Sequence, residues 1–531
     1  MPTTEQQLLI EALLNPAVFP EETDTPELIE THISWVILCG GYAYKIKKAL
    51  DLGFLDFTTL KKRQYYCEEE LRLNSRLAPN LYLDVVPITG TQQEPVLAGT
   101  GQVLEYAVKM RRFSQDALLA HMAERGLLEQ SHIDQVTSQI ADFHVNLPAA
   151  QADSHYGDPH QVHAPVQENF TQIRNRTDDP QHIAWLGLLE RWMSQEYHRC
   201  FQQFSLRKQQ GYVRECHGDM HLGNMAMIDQ MPVIFDGIEF NPDLYWIDVM
   251  SEVAFLFMDL EDHNKREYAF RFLNRYLEST GYYSGLCVLR YYLAYRAMVR
   301  AKVASIRFEQ VVDRSAQSKS LAEFENYMQL ALGYTRRKDC LLLITHGLSG
   351  SGKSTYSAPL AERMGAIRVR SDRERQRLFG RGKANNEMAS IGVGVYSDTA
   401  TEKTYATLRQ LARDILESGY SAIIDATFLG RAERDIFKQL ANDLSVPLRI
   451  LCFTADPEEL RRRVEARQRE ANDISEADRS VLEHQLDTYE ELHVDEQSDA
   501  VVINTQLACD SDRILALIKR SVATAGYLGA G

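Results

Sequence analysis

Nine consecutive residues, Gly347-Leu348-Ser349-Gly350-Ser351-Gly352-Lys353-Ser354-Thr355, bring together the residue types that hold a phosphate chain. The glycines let successive backbone N–H groups turn inward around phosphate oxygens, the lysine adds positive charge, and the hydroxyl beside it reaches a cation. The spacing is G-x-x-x-x-G-K-[ST], and its context is the one this pattern requires. The apolar run Leu341-Leu342-Leu343-Ile344 reads as a short buried strand before it, and a helix opens at Lys353 and contributes its partial positive end. Lys353 is expected to bridge the β- and γ-phosphates of ATP, and Ser354 to hold Mg²⁺.

A second group of candidates lies well upstream. His217-Gly218-Asp219-Met220-His221-Leu222-Gly223-Asn224 is followed by the strand-like Val233-Ile234-Phe235 and by Asp236-Gly237-Ile238-Glu239. Two carboxylates and an amide oxygen thus stand at adjacent loop and strand ends. They supply hard oxygen donors for Mg²⁺ and one carboxylate to accept or orient a hydroxyl proton. Earlier still, Ile33 to Cys39 and Tyr42 to Ile46 read as two strands around Gly40-Gly41. The second strand and its end put Lys45 and Lys47 on one face, where a lysine for ATP would project. The helix expected over Thr59 to Leu77 carries Glu68, Glu69 and Glu70, any of which can pair with that lysine.

The loop resembles that of the aminoglycoside phosphotransferase branch of the kinase-like fold, which reads H-G-D-x-x-x-x-N. By that resemblance Asp219 is the catalytic base, and Asn224 and Asp236 are the metal ligands. Ala43-Tyr44-Lys45 matches A-x-K and gives Lys45 the phosphates, with Lys47 the alternative. Asp248, in Trp246-Ile247-Asp248-Val249, resembles the buried aspartate that braces the catalytic loop. The resemblance covers roughly residues 30 to 310 and departs in having only Gly40-Gly41 where a G-x-G-x-x-G is expected.

Beyond Lys353, Ile367 to Arg370 reads as a strand ending at Ser371-Asp372, with Arg375 three residues on. Asp372 sits where parallel sheets place their ligands and can take a proton from an attacking hydroxyl, while Arg375 holds substrate or the transferring phosphate. Ala422 to Thr427 closes on Asp425, a candidate for the Mg²⁺ site. Arg461, Arg462, Arg463, Arg467 and Arg469 follow a further strand and read as a lid, with Arg463 and Arg467 reaching ATP. These features resemble the P-loop kinases of the polynucleotide kinase, gluconate kinase and zeta-toxin group. The whole chain resembles a bacterial family of fused aminoglycoside phosphotransferase-like and AAA-type P-loop ATP-binding proteins. That resemblance implies an α+β kinase-like domain over residues 1–335, with a small β-rich lobe and a larger helical one, then a parallel-sheet α/β P-loop domain over 336–531.

Composition narrows the partners. The 531 residues are 44% hydrophobic and 25% charged, as in a soluble globular protein. Of the formal charge of −16, residues from Lys338 onward carry −4, so neither half is a polycation and a nucleic-acid partner needs a local basic groove. Eight scattered cysteines without a C-x-x-C pair argue against a zinc ribbon or disulfide framework and fit a reducing compartment. The acidic N-terminus and the lack of a long apolar run point to a cytoplasmic protein with no membrane partner. His155, His160 and His163 lack acidic or cysteine support and read as a polar loop. Arg296 and Arg300 share a helix face that reads as solvated, with a grip on an anionic substrate as the other reading. The expected function is a bifunctional ATP-dependent phosphotransferase with two Mg²⁺–ATP sites, each acting on a hydroxyl of a small molecule. Two alternatives stay open: a nucleic-acid or nucleotide 5′-hydroxyl kinase whose first half presents the substrate, and a non-catalytic ATP sensor. Oligomeric state is left open.

Overall fold

Ser34 to Cys39 alternates buried Trp35, Ile37 and Cys39 with half-buried Val36 and Leu38, the period of two that a strand imposes. The chain turns at Gly40, whose φ of +54° suits glycine, and returns through Tyr42–Lys47. In the computed structural model, which describes residues 4–19, 24–53, 55–337, 339–380, 398–470, 479–507 and 509–524, this hairpin lies inside a six-stranded antiparallel sheet. Its strands are β1 (Glu27–Glu30), β2 (Ser34–Cys39), β3 (Tyr42–Lys47), β4 (Tyr82–Gly90), β5 (Pro95–Leu97) and β6 (Glu105–Arg111), in the order β1-β2-β3-β6-β4-β5. Helix α1 (Thr4–Leu13) buries Leu9, Ile10 and Leu13 against Trp35 and Ile37. Helix α2 (Leu60–Asn74), capped where Lys62 N–H donates to Thr59 Oγ1, packs Cys67 against Tyr82 and Val108.

The larger, helical lobe follows with α3 (Leu119–Glu124), α4 (Gln130–Asn146), α5 (Pro159–Arg174), α6 (Pro180–Gln209), α7 (Pro242–Tyr245) and α8 (Val249–Asp262). Two short antiparallel pairs frame the His217–Asn224 segment: β7 (Val213–Glu215) with β10 (Trp246–Asp248), and β8 (Met225–Ile228) with β9 (Met231–Ile234). Every residue of α8 from Val249 to Leu260 is buried, so its carboxylates Glu252 and Asp259 need partners inside the protein.

The second sheet is parallel throughout and ordered β12-β13-β11-β14-β15, from β11 (Leu342–His346), β12 (Ile367–Arg370), β13 (Ala422–Asp425), β14 (Leu448–Thr454) and β15 (Ala500–Asn504). The central strands are near-continuous apolar runs, as a sheet covered on both faces demands. Around it lie α12 (Lys353–Met364), α13 (Ser371–Phe379), α14 (Asp398–Glu417), α15 (Arg431–Asp443), α16 (Pro457–Glu470), α17 (Arg479–Thr488) and α18 (Ser511–Thr524). The glycine loop leaves the carboxyl end of the central strand β11, where open α/β sheets bind ligands.

The division of the chain differs from a single cut between 335 and 336. One compact unit holds Met1–Asn264 and Tyr291–Ala331; the other holds Lys265–Arg290 and Leu332–Gly531. Helix α9 (Arg266–Thr280) therefore belongs with the parallel sheet, whereas α10 (Leu286–Gln310) and α11 (Arg314–Thr335) lie mostly in the first unit. The physical reason is an exposed sheet edge. Asn274 on α9 donates to Ala366 O at 2.9 Å and accepts from Arg368 N–H at 2.7 Å, satisfying backbone groups of edge strand β12.

Candidate active sites

In the first unit, β3 projects Lys45 and Lys47 to one side, and Glu70 of α2 receives both. Lys45 Nζ donates to Glu70 Oε1 at 2.8 Å, and Lys47 Nζ to Oε2 at 2.6 Å. Beyond that shared carboxylate the two lysines part. Lys45 reaches Asp236 Oδ1 at 2.5 Å and keeps 12% of its side chain exposed. Lys47 is 1% exposed, pairs with Glu239 and sits over the Phe57 ring. Burial lowers the pKa of Lys45, but Asp236 and Glu70 outweigh it and hold it well above the ordinary lysine value. Of the three candidate glutamates, Glu70 is the partner; Glu69 turns to Arg72 and Glu68 to Gln64.

Asp219, Asn224 and Asp236 converge as the spacing requires. Asn224 Nδ2 donates to Asp219 O and Oδ2, both at 2.9 Å, and approaches the Asp236 carbonyl at 3.5 Å. Asp236 has φ +61°, a left-handed conformation that costs a non-glycine residue about 1–2 kcal/mol. Two bonds hold it there: its own N–H donates to Tyr82 Oη at 3.1 Å, and Gly237 N–H donates to Asn74 Oδ1 at 2.7 Å.

Glu252 braces the His217–Asn224 loop, and Asp248 does not. His217 and Gly218 donate their backbone N–H groups to Glu252 Oε1 at 2.8 and 2.6 Å, while His144 Nε2 donates to Oε2 at 2.8 Å. Asp248, expected in this role, is instead gripped by Arg207 at 2.6 and 2.8 Å and caps α8 through Met250 N–H. Asp259 Oδ2 accepts from Leu222 N–H at 2.8 Å, and Arg296 donates to Gly218 O and Ser251 O, both at 3.1 Å. Arg296 is therefore a buried strut, not part of a solvated face. Cys216 completes a buried trio with His144 and Glu252, but burial pushes its thiol pKa well up and both carboxylate oxygens are already engaged. His155, His160 and His163 turn to three different partners: Asp243, Tyr197 and Tyr291.

The sequence reading also passed over His221. Its Nδ1 accepts from Gly223 N–H at 3.1 Å, so its proton sits on Nε2, 3.4 Å from Asp219 Oδ2. Burial raises the Asp219 carboxyl, but His221, Arg300 and His217 outweigh it and hold its pKa below the usual carboxylate range. Asp219 Oδ1 accepts no bond among the described residues.

In the second unit the glycines are conformationally required. Gly347 has φ +145°, and a Cβ there would stand 2.5 Å from Phe453 O; Gly350 has φ +81° and would meet Leu460 O at 3.0 Å. Lys353 Nζ donates to Gly347 O and Leu348 O at 2.8 Å, closing the loop on itself, and burial pushes its pKa down to about 8 against the pull of Asp425 and Asp372. A cavity of 780 Å³ opens at this loop and gathers Ser349, Gly350, Gly352, Lys353, Ser354 and Thr355 with Asp372, Arg375, Asp425, Arg463 and Arg467. Burial, with Asp425 nearby, raises the pKa of Asp372 against the opposing charge of Arg370. Asp425, 4% exposed, accepts from Ser357 Oγ at 2.8 Å.

The arginine helix divides its labour. Arg463 is tied to Glu459 and Thr505 at 2.7 and 2.9 Å beside Gly350, whereas Arg461 and Arg462 turn to Glu483 and Glu459. The side chain of Arg469 lies outside the described residues. Three features here had no sequence signal. Glu278 of α9 pairs with Arg368, Arg370 and Arg373 at 3.0–3.1 Å, positioning the strand end before Asp372. Gln485 of α17 accepts from Ser349 N–H at 2.8 Å. Beyond it the chain straps the domain through Tyr489 on His346 and Glu496 on Arg434.

Over 426 residues the chain is 29% identical to an uncharacterized protein of Mycobacterium tuberculosis, covering 79% of this chain and 82% of that one. A sugar kinase from Janibacter sp. aligns at 20% identity over 36% of this chain and 96% of its own, with a TM-score of 0.25. The GDP complex of wild-type aminoglycoside 2′-phosphotransferase-IIIa aligns at 13% identity over 60% and 98%, with a TM-score of 0.34. Residues 342–492, from the first residue of β11 to the strap beyond α17, match the family described as an AAA domain.

Proposed function

We propose that the protein is an ATP-dependent phosphotransferase with two separate sites, each passing the γ-phosphoryl group to a hydroxyl of a small molecule. One observation carries this reading: each unit, by itself, places a phosphate-type lysine beside two carboxylates in distinct settings. The residues fit Mg²⁺–ATP. In the first unit Asn224 Oδ1 accepts no bond among the described residues, and the Asp236 side chain is 47% exposed, which leaves hard oxygens for a cation. In the second, Ser351 Oγ is buried in the loop without a partner among the described residues, and the glycines leave a cradle that a Cβ would fill. Asn224 with Asp236, and Ser354 with Asp425, would hold the cation, which when bound neutralises phosphate charge.

The chain's own groups do the rest. Lys45 and Lys353 hold phosphate oxygens, and Arg375, Arg463 and Arg467 add positive charge where it develops in the second site. Asn224 and His221 both engage Asp219 Oδ2, which leaves Oδ1 to orient the acceptor hydroxyl and take its proton. Asp372 plays that part in the second unit. Catalysis in both is positioning and charge neutralisation. Lys47 serves the fold as a buried counter-ion and not the nucleotide. The cytoplasm supplies the ATP, and eight cysteines outside any disulfide suit it; among the described residues no helix is long and apolar enough to cross a membrane.

The test is incubation with a cell metabolite extract and γ-labelled ATP, comparing Asp219→Asn and Lys353→Ala. Each variant is expected to lose one set of labelled products and keep the other. If neither change alters ATP consumption with any acceptor, the reading fails.

A further inference from the structure

One strong group next to Asp219 has no task in that scheme. Arg300 Nε donates to Tyr327 Oη at 3.3 Å. On its other side Arg300 Nη1 lies 3.5 Å from His221 Nε2. That nitrogen carries a proton, because Nδ1 accepts from Gly223, and it stands 3.4 Å from Asp219 Oδ2. Two donors therefore face each other, and among the described residues no carboxylate is in ion-pairing range of this guanidinium. An arginine offers five N–H donors in a planar fork, and Arg300 has a protein acceptor for one.

Three buried arginines differ from it: Arg207 and Arg434 are each held in a fork by one carboxylate, Asp248 and Glu496, and Arg63 meets both oxygens of Glu105 through Nε, while buried Arg296 is held by two backbone carbonyls. Arg300 is anchored through a hydroxyl alone, by a tyrosine that is 5% exposed, beside a histidine that is 8% exposed. An anion placed there meets the fork, while the His221 N–H stands between it and the Asp219 carboxylate and screens their repulsion.

We propose that Arg300 and His221 form an anion subsite beside Asp219, so that the acceptor phosphorylated in the first unit carries a carboxylate or phosphate group near its reacting hydroxyl. This rests on the reading of Asp219 as the base of a phosphotransferase. The competing role, contact with the γ-phosphoryl group of ATP, is separated by filling that position first.

The experiment uses the full chain with Lys353→Ala to silence the glycine loop, loaded with Mg²⁺ and a non-hydrolysable ATP analogue. Inorganic phosphate and malonate are then titrated by calorimetry, with and without Arg300→Gln. Binding of at least one anion is expected, weakened about ten-fold or more by Arg300→Gln, with analogue affinity unchanged within about two-fold. Arg300→Lys, which keeps the charge and loses the fork, is expected to weaken binding less and decides the matter if the glutamine variant does not fold. Absence of anion binding, equal binding in the variants, or a ten-fold loss of analogue affinity on changing Arg300 overturns the proposal. Failure of the analogue to load, or loading that Lys45→Ala does not weaken, would count against the phosphotransferase reading itself.

Discussion

Asp219 and Asp372 are the same residue in opposite electrostatic settings. Neighbouring His221, Arg300 and His217 outweigh burial at Asp219 and lower its pKa, whereas burial dominates at Asp372 and raises it. A base must be ionised, so the rate falls as pH drops through its pKa. The acid limb of kcat/KM is therefore expected below the ordinary aspartate value of 3.8 in the first site and above it in the second. Profiles recorded on Asp372→Asn and Asp219→Asn, each leaving one site, check this; coincident limbs would refute the assignment. Alkaline behaviour separates the lysines. Lys353, at about 8, loses its charge as pH rises, while Lys45 is held well above 10.5. ADP affinity of the second site is expected to fall above pH 8 and that of the first to hold, measured by calorimetry in Lys45→Ala and Lys353→Ala. Residues such as Asp219, Asn224 and Lys353 were legible in the sequence because their partners lie within a few positions. His221 sat in the same stretch unread, since only its Gly223 bond fixes which nitrogen bears the proton.

At the scale of elements, α8 is the frame of the first site and the glycine loop is the frame of the second. Glu252 accepts from two backbone N–H groups and from His144, so Glu252→Ala leaves buried donors unmatched. It is expected to cost about 3 kcal/mol, read from urea unfolding, and to lower first-site turnover more than ADP binding there. Loss of less than about 1 kcal/mol would show that the loop holds itself. Gly347→Ala puts a Cβ 2.5 Å from Phe453 O at a φ of +145°. Second-site ADP affinity is expected to fall about ten-fold or more, with the first site unaffected. Strand, loop and helix around Gly347 were legible because the motif is local. The bracing of the His217–Asn224 loop was not: Glu252 lies 35 positions from His217 and 108 from His144, and the family resemblance pointed to Asp248, which Arg207 takes.

For the whole molecule, two nucleotides are expected per chain, and one each in Lys45→Ala and Lys353→Ala, by equilibrium titration of ADP. A fragment of residues 336–531 is expected to melt without cooperativity, because it lacks the Asn274 bonds to β12 and the Glu278 pairing with three arginines. Joining Lys265–Arg290 to that fragment through a Gly/Ser linker is expected to restore a cooperative melt in circular dichroism. The sequence reading cut the chain at 335/336 because α9 is an ordinary amphipathic helix, and nothing in its pattern names the sheet edge it covers. That placement bears on synthesis at the ribosome. Phe270, Leu273, Tyr276 and Leu277 of α9 are buried, and the helix is translated well before α12 and β12, the elements it contacts. At typical elongation rates the interval is on the order of 10 s. During it the nascent chain displays an apolar helix with no partner yet made, a natural recognition point for chaperones acting on the growing polypeptide.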